Sequence, residues 1–178
     1  MATIDAMLAP AARGDPRFDG QFYSAVLTTG IFCRPGCPGR PRSENVRYFA
    51  TAAAAAEAGF RPCLRCHPES APDLPDRQVT SPLVSRALRL IGEGALDEGN
   101  VADLAARLRV SPRHLQRRFV EELGAPPVAV AQTRRLLFAK KLIDETDLSM
   151  ADIAFSAGYS SVRRFNEAIQ QTYHRTPT

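Results

Sequence analysis

No stretch of this sequence stays apolar for the roughly 18–20 residues needed to cross a bilayer. The N-terminus, MATIDAMLAPAARGDPRF, has neither a basic leading region nor a long apolar core, so it lacks the marks of a secretory signal. Lysine is absent from the first 76 residues. Cysteine is scarce: there are four in 178 residues, all before residue 67. These absences argue against a membrane span and against export, and a cytoplasmic protein is expected. Thiols are then reduced, and two close cysteine pairs point to a metal rather than to disulfides.

An apolar content of 44% is ordinary for a globular chain, and the length suits one or two small domains. Charge is divided unevenly. Up to Asp76, eight arginines balance eight acidic residues. From Arg77 onward, fifteen basic residues face eleven acidic ones, so the whole net charge of +4 lies in the C-terminal part. A basic domain favours an anionic partner such as nucleic acid, although this excess is modest.

The run PESAPDLPDR, Pro68 to Arg77, carries three prolines and several acids and reads as a linker. It separates a first unit, residues 1–70, from a second, residues 81–178, with the linker itself set at 71–80. The first unit reads as small and α+β. Ser24–Thr29 and Val46–Phe49 suit short strands, and the alanine-rich 50–58 suits a short helix stopped by Gly59. About 70 residues make a marginal core, which a metal would help to close.

The second unit reads as all-α. Ser81-Pro82 opens a helix to about Ile91, and Asn100 caps VADLAARLR, with Val101, Leu104, Ala105 and Leu108 on one face. Ser111-Pro112 restarts a helix that Leu123-Gly124 ends, and a longer helix runs from about Pro127 to Glu145. The arrangement then repeats. VADLA at 101–105 matches MADIA at 150–154, Leu115 matches Phe165, and Phe119 matches Ile169. Two helix-turn-helix units joined by one long helix is the simplest reading.

The cysteines are spaced C-x3-C, then 25 residues, then C-x2-C: Cys33, Cys37, Cys63 and Cys66. Two short chelating pairs let two loops close on one tetrahedral zinc ion. Pro35 and Pro62 stiffen the loops. His67 is an alternative ligand and a disulfide pair a further alternative. All-thiolate zinc is usually structural, and spacing does not say whether one sulfur reacts. The chemistry allows it. A metal-bound cysteine stays deprotonated, and four thiolates on one dication leave two negative charges in excess.

The segments FYSAVLTTGIFCRPGCPGRPRSENVRYF and AGFRPCLRC resemble the N-terminal domain of the Ada family of adaptive-response proteins. The likeness covers roughly Asp15 to Pro68. It implies a zinc site that takes a methyl group irreversibly from a methylphosphotriester in DNA. By this resemblance the acceptor is Cys33, while Cys37, Cys63 and Cys66 complete the site. Thr29, Arg40 and Arg61 match positions near the DNA backbone, and Arg34 and Arg65 flank the ligands. A methylated phosphate is neutral, so an anionic thiolate approaches it without repulsion. Transfer then removes one negative charge from the centre and should strengthen DNA binding.

From about Pro82 to Pro177 the chain resembles the AraC-type DNA-binding domain. Leu115, Phe119, Phe165 and Ile169 are expected in its core. The opposite faces are the expected readers of bases: Arg113, Gln116 and Arg117 on one recognition helix, and Arg163, Arg164, Asn166 and also Glu167 on the other. His114 follows the same family motif, and a capping or core-edge role suits it equally. Arg134, Arg135, Lys140 and Lys141 on the connecting helix suit either phosphate contacts or solvent.

The combined expectation is a single-turnover methyltransferase that is also a methylation-activated transcriptional activator of alkylation-damage genes. Its partners would be double-stranded DNA and RNA polymerase, with no membrane and a monomeric chain. Two other readings stand beside it: a zinc-stabilised AraC-type regulator without methyl transfer, and the regulatory part of a fusion to a DNA glycosylase. The Pro-Cys-His-Arg acceptor motif for O6-methylguanine does not occur, so that repair is not expected of this chain.

Overall fold

The computed structural model describes residues 12–70 and 80–177. The expected strands and helices appear, with two further strands and short 3-10 turns in the first unit. Its sheet has four strands: β1 (Tyr23–Val26), β2 (Ile31–Cys33), β3 (Val46–Phe49) and β4 (Arg61–Pro62), in the order β3-β1-β2-β4. β1 runs antiparallel to both β2 and β3, while β4 joins β2 in parallel. The strand expected over 24–29 therefore starts one residue earlier and ends at Val26. Residues beyond it turn back, with the amides of Thr29 and Gly30 both donating to the Val26 carbonyl (3.2 and 3.0 Å). Gly30 sits at φ 65, where a side chain would be strained.

Helix α1 (Ala52–Glu57) lies against this sheet. The Thr51 hydroxyl caps it by accepting the Ala54 amide (3.0 Å). Alanine suits the site twice over. It favours helix, and its small side chain lets α1 approach a core of Tyr23, Ala25, Phe32 and Phe60 closely. Tyr23 and Phe32 meet edge to face at 5.7 Å.

The helical unit contains α2 (Pro82–Gly92), α3 (Val101–Arg107), α4 (Pro112–Leu123), α5 (Pro127–Glu145), α6 (Met150–Ser156) and α7 (Val162–Tyr173). α3–α4 and α6–α7 are the two helix-turn-helix units and α5 joins them. Asn100 forms a capping box with Asp103, and Ser111, Ser149 and Ser161 cap α4, α6 and α7. The internal repeat holds in the packing. Leu104 and Ile153, Leu115 and Phe165, and Phe119 and Ile169 occupy equivalent buried places in two separate cores. Both repeats also end alike, with a left-handed residue after the second helix: Gly124 in the first and His174 in the second.

The two units form a shared seam. The Thr51 hydroxyl also donates to the Leu123 carbonyl (2.8 Å), and Ala53 packs with Ala125 and Ala129. Leu137 of α5 reaches the sheet core, while Leu64, between two cysteines, packs into the core of the second helix-turn-helix. The proline run expected as linker begins instead as a 3-10 turn, Pro68–Ser70, set against α5. Most of the expected linker, residues 71–79, lies outside the described residues. No helix among the described residues is long and apolar enough to cross a membrane.

Candidate metal centre and nucleic-acid faces

The four cysteine sulfurs converge, all within 4.8 Å of one another. Cys33 is the last residue of β2, and pairing to Ser24 of β1 fixes its backbone. Placing Cys33 in a strand corrects the loop suggested by its Pro- and Gly-rich surroundings. Cys37 follows one turn later, its amide donating to the Arg34 carbonyl (3.1 Å). Cys63 continues from β4, its amide donating to the Phe32 carbonyl (3.0 Å). The parallel β2–β4 pair thus delivers two ligands side by side, and each chain then turns to bring the second. Cys37 and Cys66 are buried, whereas Cys33 and Cys63 are half-buried.

The donor set fits a tetrahedral dication. Zinc–thiolate bonds of about 2.3 Å place sulfurs roughly 3.8 Å apart, within reach of the observed cluster. The sulfurs' own chemistry points the same way. In the chain alone, hydrogen bonding to Cys63 and Cys66, with burial, pushes the Cys33 thiol up. The Cys33 and Cys66 thiols in turn hold Cys63 down as a thiolate. The chain alone thus favours a single thiolate in the cluster, and keeping all four sulfurs deprotonated requires a cation between them. Backbone amides add support: Arg65 donates to the Cys63 sulfur (3.4 Å), and Arg34 donates to Cys66. His67 is not part of this set. It adopts φ 50, and its Nδ1 lies 3.1 Å from both Glu69 and Asp144 carboxylates.

The expected backbone contacts divide into two kinds. Thr29, Arg40 and Arg65 are exposed near the sulfur loops. Arg61 is half-buried and donates to the Pro62 carbonyl (3.2 Å). Arg34 is tied to Asp19 at 2.7 Å. Both of these last two are half-buried rather than fully exposed.

On the helical unit, Arg113, Gln116 and Arg117 are exposed on α4 and border a shallow depression with Ser111 and His114. The His114 amide is capped by the Ser111 hydroxyl (3.2 Å), and its ring lies 3.4 Å from Arg117. Arg163 and Asn166 are exposed on α7, with Arg163 bonded to Glu167 (2.9 Å). Arg164 is exposed as well, and it borders a groove between α1, α5 and α7, beside Glu57, Gln132 and Tyr159. On the connecting helix, Arg135 is 14% exposed, bonds the Leu96 carbonyl and Asp97, and lies over the Tyr159 ring. Lys140 is committed to Glu69 and Asp144. Both are structural rather than free for phosphate. Sequence reasoning missed the Asp19–Arg34 and Glu69–Lys140 pairs, because no local pattern links residues so far apart.

Comparison with known proteins agrees with this architecture. Residues 7–69 match the metal-binding domain of Ada, and residues 104–178 match a helix-turn-helix domain. A probable bifunctional transcriptional activator/DNA repair enzyme AlkA from Mycobacterium tuberculosis is 47% identical over 165 residues, which are 92% of this chain and 33% of that protein. The chain therefore spans a third of that relative's length. The bifunctional transcriptional activator/DNA repair enzyme AdaA of Bacillus subtilis is 33% identical, over 92% of this chain and 75% of its own length. The C-terminal domain of AraT, a response regulator from Geobacillus stearothermophilus, aligns with 57% of this chain and 84% of its own, at 27% identity and a TM-score of 0.52. An Ada-type metal-binding unit followed by an AraC-type double helix-turn-helix is thus shared along nearly the whole chain, and the chain belongs to the Ada family of bifunctional transcriptional activator/DNA repair homologues.

Proposed function

We propose that this chain removes a methyl group from a methylphosphotriester in DNA, keeps it on Cys33, and then activates transcription from promoter DNA. The observation that carries the reading is the four-sulfur cluster with Cys33 half-buried at a strand end, on the same body as two exposed basic recognition faces. Cys33, Cys37, Cys63 and Cys66 would hold one zinc ion. When bound, that ion keeps the cysteines as thiolates at neutral pH.

The chain's own part in the step is displacement. The Cys33 sulfur donates an electron pair to the methyl carbon, and an S–C bond forms. The bond from the methyl carbon to the phosphate oxygen breaks, and its electrons stay on that oxygen, restoring an anionic phosphodiester. No proton moves. The thioether is not released, so one chain acts once. Loss of one negative charge at the centre lowers repulsion from the DNA backbone at every sequence. Arg113, Gln116 and Arg117, with Arg163 and Asn166, then read bases, Arg suiting guanine and Asn or Gln adenine.

The test is single-turnover incubation of the zinc-loaded chain with methylphosphotriester DNA, followed by mass analysis of the Cys33 peptide. One methyl on that peptide, absent from Cys33→Ala, is expected. An unmodified peptide would leave a zinc-stabilised regulator without transfer.

A further inference from the structure

Metal binding and methyl transfer make different demands on the Cys33–Cys37 span. Holding an ion needs four sulfurs in reach. Transfer also needs the Cys33 sulfur aimed in line with the departing oxygen, where small displacements cost large factors in rate. Cys33 has regular backbone pairing on its N-terminal side only. On the C-terminal side, Arg34, Pro35 and Gly36 leave the sheet.

One side chain from outside the cluster secures that span. Asp19 Oδ1 accepts the Gly36 amide (2.7 Å), and Asp19 Oδ2 accepts Arg34 Nη1 (2.7 Å). The Asp19 side chain is 8% exposed. A third bond comes from the same segment, the Gly14 amide donating to the Pro35 carbonyl (2.6 Å). Close packing accompanies these bonds. A Cβ on Gly36 would lie 3.0 Å from Pro16 and 3.1 Å from Asp19 Oδ1. Arg34 depends on the carboxylate in another way. Its Nε is buried without a hydrogen-bond partner among the described residues. With Asp19 neutralised, the guanidinium is more favourably placed in solvent, or on a phosphate.

We propose that Asp19 is a positioning residue for methyl transfer. It fixes the segment after Cys33 through the Gly36 amide, and it holds the Arg34 charge that would otherwise reach a DNA phosphate. The inference rests on the function proposed above and gives that site an orienting residue. It separates rate from affinity. Removing Asp19 slows transfer while strengthening DNA binding, a pairing that general loosening of the fold does not produce.

The test uses the full chain, zinc-loaded or cobalt-loaded, as wild type, Asp19→Asn and Asp19→Ala. Asn keeps an acceptor for Gly36 and loses only the charge, so it guards against misfolding. Single-turnover transfer to methylphosphotriester DNA should fall in the order wild type, Asn, Ala, with Ala slower by about 10–100-fold. Affinity for unmethylated duplex should rise equally in both variants, with a salt slope steeper by about one phosphate contact. Cobalt(II) spectra should keep tetrahedral thiolate bands throughout. Transfer at the wild-type rate in Asp19→Ala overturns the proposal, and so does unchanged affinity in both variants. Loss of the tetrahedral bands in Asp19→Asn also overturns it, by making Asp19 a residue of the fold. A wild type that transfers no methyl overturns the function itself and is recognised without the variants.

Discussion

Replacing Lys140 with Met should uncouple the two units. The Lys140 ammonium lies 3.7 Å from Glu69 Oε1 and touches the Asp144 carboxylate, with side-chain exposures of 13% for Lys140, 3% for Glu69 and 31% for Asp144. Charges about 4 Å apart attract by about 4 kcal/mol at an effective dielectric near 20, and desolvation offsets much of that. Breaking a buried pair from one side costs about 3–5 kcal/mol, because the remaining charge is stranded. Glu69 is the charge left behind, with the His67 ring 3.1 Å from its Oε1 as the remaining contact, and its Oε2 already lacks a hydrogen-bond partner among the described residues. Water at Asp144 softens the loss, so we expect about 2–3 kcal/mol. With a urea slope of about 2–3 kcal/mol/M, the helical midpoint should fall by about 1 M. Cobalt absorbance reports the sulfur cluster and far-UV dichroism reports the helices. Their transitions should coincide in the wild type and separate in Lys140→Met. Adding Glu69→Gln should restore part of the stability, since the stranded charge is gone. A midpoint unmoved by Lys140→Met, or a double variant weaker than the single by the full Glu69→Gln cost, would refute the reasoning.

Chelation of the metal should unfold the sheet unit while leaving most helical dichroism, because four crowded sulfurs cannot all remain thiolate without a cation. Gly124→Ala should destabilise the chain by about 1–2 kcal/mol in urea unfolding. Its φ of 74 is left-handed, and the new Cβ would sit 3.0 Å from that of Ala54 across the seam. Arg117→Ala should weaken binding to a selected promoter site by about 1–3 kcal/mol and relax preference at one base pair in a competition assay. Arg164→Ala should change binding to the same site less than Arg117→Ala, since Arg164 borders the groove between α1, α5 and α7.

The helical unit was the more legible half. Its caps announce themselves as Ser-Pro or Asn before an apolar period, and those signals are local. Only the polarity of the second stop was hidden: His174 takes the left-handed place that Gly124 holds in the first repeat. The sheet was less legible because its strands are short. Ile31–Cys33 has three residues and Arg61–Pro62 two, too few for alternation to register, and their partnership spans thirty positions. The four sulfurs were legible from spacing, since chelation by two pairs is a local pattern. Their supports were not. Asp19 bonds Gly36, and Glu69 meets Lys140, only after the chain has folded.

Leu64 gives the molecule a fixed internal ruler. It lies between two metal-ligating positions and packs with the core of the second helix-turn-helix, against the cluster of Phe165 and Ile169. Within the proposed function, the repair end and the second reading helix therefore travel along DNA at a set offset and a set angle. A damaged phosphate seated at Cys33 dictates where that helix falls on the duplex, whatever its sequence. A promoter must supply the converse: bases spaced so that α7 reads them while the modified cysteine rests on the backbone at the same offset. The spacing between protected backbone and specific bases in a footprint should accordingly be constant from one promoter to the next.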